Sequence, residues 1–131
     1  MLKNVLVVDD EPDILNLTRL VLKKAGIDVV TARDAEECLM KLEYERPDLI
    51  LLDVVMPGMN GFELCKKLKG NPKTKNIRIV LYTVLDRERD RELSTESGAD
   101  GFLNKPLTPE DLSAFARKIQ EFLNLPKLNN Q

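Results

Sequence analysis

No histidine occurs anywhere in the 131 residues. That absence removes Ser-His and Cys-His nucleophilic catalysis and His-ligated zinc. It also means that the chain carries no phosphohistidine, so any phosphoryl group it holds must sit on another side chain. Cysteine is nearly as scarce. Cys38 and Cys65 form no CxxC pair, and both fall in helical patterns, which marks them as core thiols rather than a disulfide or metal pair. No apolar run approaches the ~20 residues of a membrane span. Met1 to Asn4 leads straight into a strand pattern rather than a signal peptide, so a cytoplasmic location is expected. The formal net charge is -2, which gives no electrostatic case for nucleic acid or an anionic membrane.

What is present points to one domain around one core. The stretch Leu49-Ile50-Leu51-Leu52-Asp53 organises it. A short all-apolar run bounded by turn residues fits a strand buried on both faces. Asn4-Val5-Leu6-Val7-Val8 reads the same way and runs into Asp9-Asp10-Glu11. Pro12 then opens a helix whose apolar positions are Ile14, Leu17, Val21, Leu22 and Ala25, with Gly26 as its stop. Ile27 to Thr31 is a second strand. Asp34 and Glu37 resemble a capping box before the Ala35, Cys38, Leu39 and Leu42 stripe, and Asn60 and Glu63 repeat that pattern before a third helix.

Ile77 to Tyr82 reads as a fourth strand, ending in Thr83. A fourth helix is expected from Asp86 to about Glu96, nearly all charge, with Leu93 as its one apolar anchor and Gly98 as its stop. Gly101 to Asn104 is a fifth strand, followed by Lys105-Pro106. Thr108-Pro109-Glu110-Asp111 starts the best helical stripe in the chain, Leu112 to Leu123. Strands alternating with helices predict an α/β fold, a doubly wound parallel sheet with right-handed crossovers and helices on both faces. The expected domain is 1–123. Residues 124–131 form a polar tail or the start of a linker.

Four strand ends thus carry Asp9 and Asp10, Asp53, Thr83 and Lys105. A doubly wound sheet gathers such ends at one edge. Clustered carboxylates repel, and Mg2+, a hard cation that keeps several waters, relieves that repulsion. Carboxylate, Mg2+, lysine and hydroxyl are the parts that stabilise a transferring phosphoryl group, and one carboxylate can serve as its nucleophile. Taken singly, each residue has a plainer role: acids at helix N-termini, Thr in a strand, a solvated lysine.

Taken together, Val8-Asp9-Asp10-Glu11-Pro12, Leu52-Asp53 through Gly61, Tyr82-Thr83 and Lys105-Pro106 resemble, in order and spacing, the response-regulator receiver domain of two-component signalling. The resemblance covers about residues 3 to 123. It implies a flavodoxin-like sheet of five strands in the order 2-1-3-4-5 with five helices. It further implies that Asp53 accepts phosphoryl from a phosphohistidine on a sensor histidine kinase or phosphotransfer protein. Asp10, Asp53 and the Val55 carbonyl would bind Mg2+, with Asp9 orienting a bound water. Lys105 would pair with the phosphoryl oxygens. Thr83 would turn inward and reset the face formed by the fourth helix, fifth strand and fifth helix. That face would serve a downstream protein or output domain and a homodimer. The family resemblance also predicts a cis peptide at Lys105-Pro106. On this reading the chain is no enzyme beyond catalysing its own phosphorylation and slow dephosphorylation.

Some positions depart from the family pattern. Phe102 stands where the family often has Tyr or another aromatic that follows the Thr inward; without a hydroxyl, it signals only by packing or rotamer. Val84 follows Thr83 where a small residue is usual, and it narrows access to the phosphoryl path. Val55 and Leu85 are apolar and cannot orient an attacking water. Two other classes share parts of the pattern. A haloacid-dehalogenase-type phosphatase has its nucleophile in an Asp-x-Asp motif after the first strand, whereas here the acidic pair comes first and Asp53 follows the third. A flavodoxin-like FMN carrier needs a hydroxyl- and glycine-rich phosphate loop where this chain has Asp9-Asp10-Glu11.

Overall fold

The computed structural model describes residues 3–84, 87–106 and 108–126. Five strands and five helices alternate: β1 (Asn4–Val8), α1 (Pro12–Lys24), β2 (Asp28–Ala32), α2 (Ala35–Lys41), β3 (Leu49–Asp53), α3 (Gly61–Lys69), β4 (Arg78–Thr83), α4 (Glu88–Glu96), β5 (Gly101–Asn104) and α5 (Pro109–Asn124). The strands form one parallel sheet in the order β2-β1-β3-β4-β5. Both the expected order and the layered arrangement are present.

Successive strand side chains face opposite ways, so the central strands feed two cores. Leu6, Val8, Ile50, Leu52, Ile79 and Leu81 pack with α2 and α3. Val5, Val7, Leu49, Leu51, Val80 and Tyr82 pack with α1 and α5. This is why β1 and β3 read as unbroken apolar runs: neither face meets water. Leu22, Phe115, Ile119 and Leu123 bring the α1 and α5 stripes onto the second core.

Local chemistry sets the element ends. Asp34 Oδ1 accepts from the Glu37 amide, and the Glu37 carboxylate reaches back to the Arg33 amide, one residue before the expected partner. The α3 box is complete, with Asn60 and Glu63 each accepting from the other's amide. Gly26 and Gly98 adopt φ of 84° and 85° after α1 and α4, a region that costs other residues energy. At the N-terminal end of β4, the Arg78 guanidinium donates to the carbonyls of Phe122, Leu125 and Pro126. It therefore ties the last turn of α5 and the two residues after it to the start of β4.

Several expectations shift. β2 and β4 begin one residue later than the apolar pattern indicated. α4 begins at Glu88, and the expected start at Asp86, like Leu85, lies outside the described residues. Leu93 is only half-buried. The residues that α4 turns inward are Asp90 and Ser94, so its anchor is polar. Asp90 is held by its own N-terminal turn, accepting from the Arg87 amide at 3.2 Å and the Arg87 guanidinium at 2.8 Å.

Candidate phosphoryl-acceptor site

β1 and β3 end side by side, Val8 opposite Leu52. The next residues, Asp9 and Asp53, project from the α1/α5 side at the carboxyl edge of the sheet. Asp9 is fully buried, Asp53 is 2% exposed, and Asp10 lies exposed at the rim. One carboxylate oxygen from each lies within 4.8 Å of those of the other two. This set fits a hard divalent cation: three oxygen donors converge, and the exposed rim leaves room for retained water.

Lys105 enters from the end of β5. Its backbone amide donates to the Thr83 carbonyl at 2.9 Å, which carries the lysine across to the acids. Nζ then contacts Asp9 Oδ2 at 2.9 Å, Asp53 Oδ2 at 3.2 Å and Glu11 Oε1 at 3.2 Å. An ammonium has three N–H groups, and here three carboxylates take them. Burial pulls the Lys105 ammonium down, but the Asp9 hydrogen bond and the charges of Asp53 and Asp9 outweigh it, leaving Lys105 above its usual range. Asp53 moves the other way from a normal acid. Burial and the Asp9 charge push it from 3.8 to about 7, against the pull of Lys105 and of the Val55 amide. A carboxyl so placed is poised near neutrality.

The other expected residues also lie close by. Val55, 55% exposed, donates its amide to Asp53 Oδ1 at 3.2 Å. Thr83 is fully buried at the end of β4. Val84 is 62% exposed and lines a cleft with Arg91, Phe102, Lys105, Pro106 and Phe115. Phe102 is half-buried, with the Arg91 guanidinium 5.4 Å from its ring centroid. Gly61 opens α3 directly behind Asp53, and a Cβ there would overlap the Asp53 carbonyl oxygen.

One expectation is corrected. No described peptide is cis, so Lys105-Pro106 is trans. The trans form of an X-Pro bond is favoured by about 0.5–1 kcal/mol, and Lys105 reaches both acids with that geometry.

One site residue was not anticipated. The Tyr82 hydroxyl donates to Asp9 Oδ2 at 2.5 Å. Tyr82 is fully buried, and burial together with the Asp9 charge and hydrogen bond raises its phenol well above the usual range. The signal was present in strand parity. Tyr82 shares the face of Val80, and it pairs in register with Asp53.

Residues 5–117 match the family described as the response regulator receiver domain. The chain belongs to that family. Receiver domains are parts of two-component signalling proteins, and this chain is one. It is 43% identical over 119 residues to the alkaline phosphatase synthesis transcriptional regulatory protein PhoP of Bacillus subtilis, covering 91% of this chain and 49% of PhoP. The chain therefore spans about half of that relative. Among solved structures, chemotaxis response regulator CheY4 of Vibrio cholerae aligns with a TM-score of 0.83 at 34% identity, over 93% of this receiver domain and 99% of CheY4. The Mn2+-bound form of response regulator Rcp1 aligns with a TM-score of 0.83 at 29% identity, over 98% and 99% of the two chains.

Proposed function

We propose that Asp53 is the phosphoacceptor of a two-component phosphorelay. The observation that carries this reading is the buried Lys105 ammonium bridging Asp9 and Asp53. It is a fixed positive charge beside a carboxylate that lies at the mouth of the sheet. Membership of the receiver family supports a phosphohistidine on a sensor histidine kinase or phosphotransfer protein as the donor. An Asp53 oxygen forms the new bond to phosphorus, the phosphorus–nitrogen bond breaks, and its electron pair leaves with the donor imidazole. Lys105 meets the charge on the phosphoryl oxygens.

The ion best suited to the acidic cluster is Mg2+, which Asp10, Asp53 and the Val55 carbonyl would hold, and Asp9 would orient a water on it. When bound, it neutralises charge on the acids and on the phosphoryl oxygens. The Mn2+-bound relative Rcp1 supports a divalent cation here. Thr83 and Phe102 form the switch. Thr83 has the strand parity of Ile79 and Leu81, opposite to Asp53, so its movement bears on the sheet face that α2 and α3 cover, where α4 packs beside α3 and β5. The α4–β5–α5 face then engages a downstream protein or output domain, or a second copy of the chain. Val84 is the residue that narrows access to the phosphoryl path; its exposure and its place in a cleft that Lys105 also lines support this reading.

The acting unit is the expected 1–123 together with Asn124, which ends α5, and Leu125 and Pro126, which Arg78 holds. Catalysis is confined to the domain's own phosphorylation and slow dephosphorylation. The domain acts in the cytoplasm without direct contact to nucleic acid or membrane. No helix among the described residues is long and apolar enough to cross a membrane. The test is incubation with acetyl phosphate and Mg2+, read by intact mass, with beryllofluoride as a phosphoryl mimic. One phosphoryl group should appear on the parent chain and none on Asp53→Asn. Equal uptake by both would overturn the assignment.

A further inference from the structure

Tyr82 has two relations to the site, and each meets Lys105. Its hydroxyl donates to Asp9 Oδ2 at 2.5 Å, the same oxygen that Lys105 Nζ contacts at 2.9 Å. Its ring lies beneath the ammonium, with Nζ 5.1 Å from the ring centroid, within the range of a cation–π attraction. The ring also packs against Phe115, tilted by 37° at a centroid distance of 5.9 Å. The buried Thr18 side chain is a further polar neighbour that acts on the phenol, in the sense opposite to Asp9. A phenylalanine would fill the same space without a buried hydroxyl, and burying a hydroxyl is costly unless it is bonded. Here the hydroxyl is committed to a carboxylate, the stronger kind of acceptor.

Resting on the reading of Asp53 as the phosphoacceptor, we propose that Tyr82 is a positioning residue of this site. Its hydroxyl fixes Asp9 and its ring face supports the ammonium, so that Lys105 stays over Asp53 instead of being drawn outward to Glu11. The pull in that direction is real, because Glu11 is a surface carboxylate, its side chain 60% exposed, and already lies 3.2 Å from Nζ. Register makes the arrangement possible, since Tyr82 stands opposite Asp53 on the adjoining strand.

The experiment titrates the full chain with Mg2+ alone, and then with beryllofluoride at saturating Mg2+. Tyr82→Phe keeps the ring and removes the hydroxyl. Beryllofluoride affinity should fall about tenfold, equivalent to about 1.4 kcal/mol, while Mg2+ affinity changes less than about threefold. Thr18→Val removes the other polar neighbour of the phenol but leaves the bond to Asp9, and its beryllofluoride affinity should stay within about twofold of the parent. Both are compared at temperatures where every variant is fully folded. Tyr82→Phe binding beryllofluoride as the parent does would overturn the proposal, and so would equal losses in the two variants, which signify packing alone.

A second readout does not depend on the folding of Tyr82→Phe. The chain has no tryptophan and two tyrosines, and Tyr44 is 83% exposed. Tyr44→Phe therefore leaves Tyr82 as the single phenol. Its near-ultraviolet spectrum should change when beryllofluoride binds, and an unchanged spectrum counts against the proposal. A parent chain that binds no beryllofluoride defeats the phosphoacceptor reading itself. A parent that binds it with Tyr82→Phe unaffected defeats only the role of Tyr82.

Discussion

Asp53→Asn should make the metal-free protein more stable, although it removes the central residue of the site. The folded protein holds the Asp53 proton up to about pH 7, whereas the ordinary carboxyl value is 3.8. The folded state therefore binds this proton more tightly than the unfolded chain does. The contribution of Asp53 to stability is full below the unfolded value and is lost as pH rises through about 7. A difference of that size corresponds to a ceiling of about 4 kcal/mol at pH 8. Relaxation and water entry reduce such penalties, so a gain of about 2 kcal/mol is the working expectation. Asparagine has the shape of the protonated acid and carries no charge at any pH. Urea unfolding in EDTA, followed by circular dichroism, should show the gap at pH 8 and a steady narrowing toward pH 4. Adding Mg2+ should close it from the other side by stabilising the parent. An asparagine variant less stable than the parent at pH 8, or a gap that ignores pH, would refute the reasoning.

Three further outcomes follow from the geometry. Val84→Ala should speed acetyl phosphate labelling of Asp53 with Mg2+ affinity and stability nearly unchanged, because Val84 is exposed at 62%; matching rates would show that it does not narrow the approach. Gly61→Ala should cost about 1–3 kcal/mol by overpacking, since its Cβ would meet the backbone of Asp53 and Val54; an unchanged urea midpoint would contradict that clash. Amide exchange should be faster in α4 than in α5, because segments with few buried apolar contacts open more readily, and equal protection in the two helices would count against it.

The sheet and most of its edge were readable in the sequence. β1 and β3 are buried on both faces, so they needed no alternation to be recognised, and their terminal acids followed directly. Lys105 and Thr83 were placed by strand order. The residues missed were those whose role depends on register or on polar burial. Tyr82 looks like a strand aromatic until its parity sets it beside Asp53. Asp90 and Ser94 look like solvent positions on a charged helix, yet they form its inward face, and an apolar pattern cannot reveal an anchor that is itself polar. The cis expectation at Lys105-Pro106 came from resemblance alone, with no local feature of this chain requiring it.

Arg78 gives β4 a second duty. One end of this strand carries Tyr82 and Thr83, and the other carries the guanidinium that grips the carbonyls of Phe122, Leu125 and Pro126. Six residues at ~3.3 Å per step separate the two ends by about 17 Å. The backbone at Pro126 is thus moored at the pole opposite the acidic mouth. A tether attached there would leave the mouth clear for an incoming donor, and a load pulling on it would act along β4 toward Thr83. In mechanical terms, β4 is a tie rod between the backbone at Pro126 and the acidic mouth.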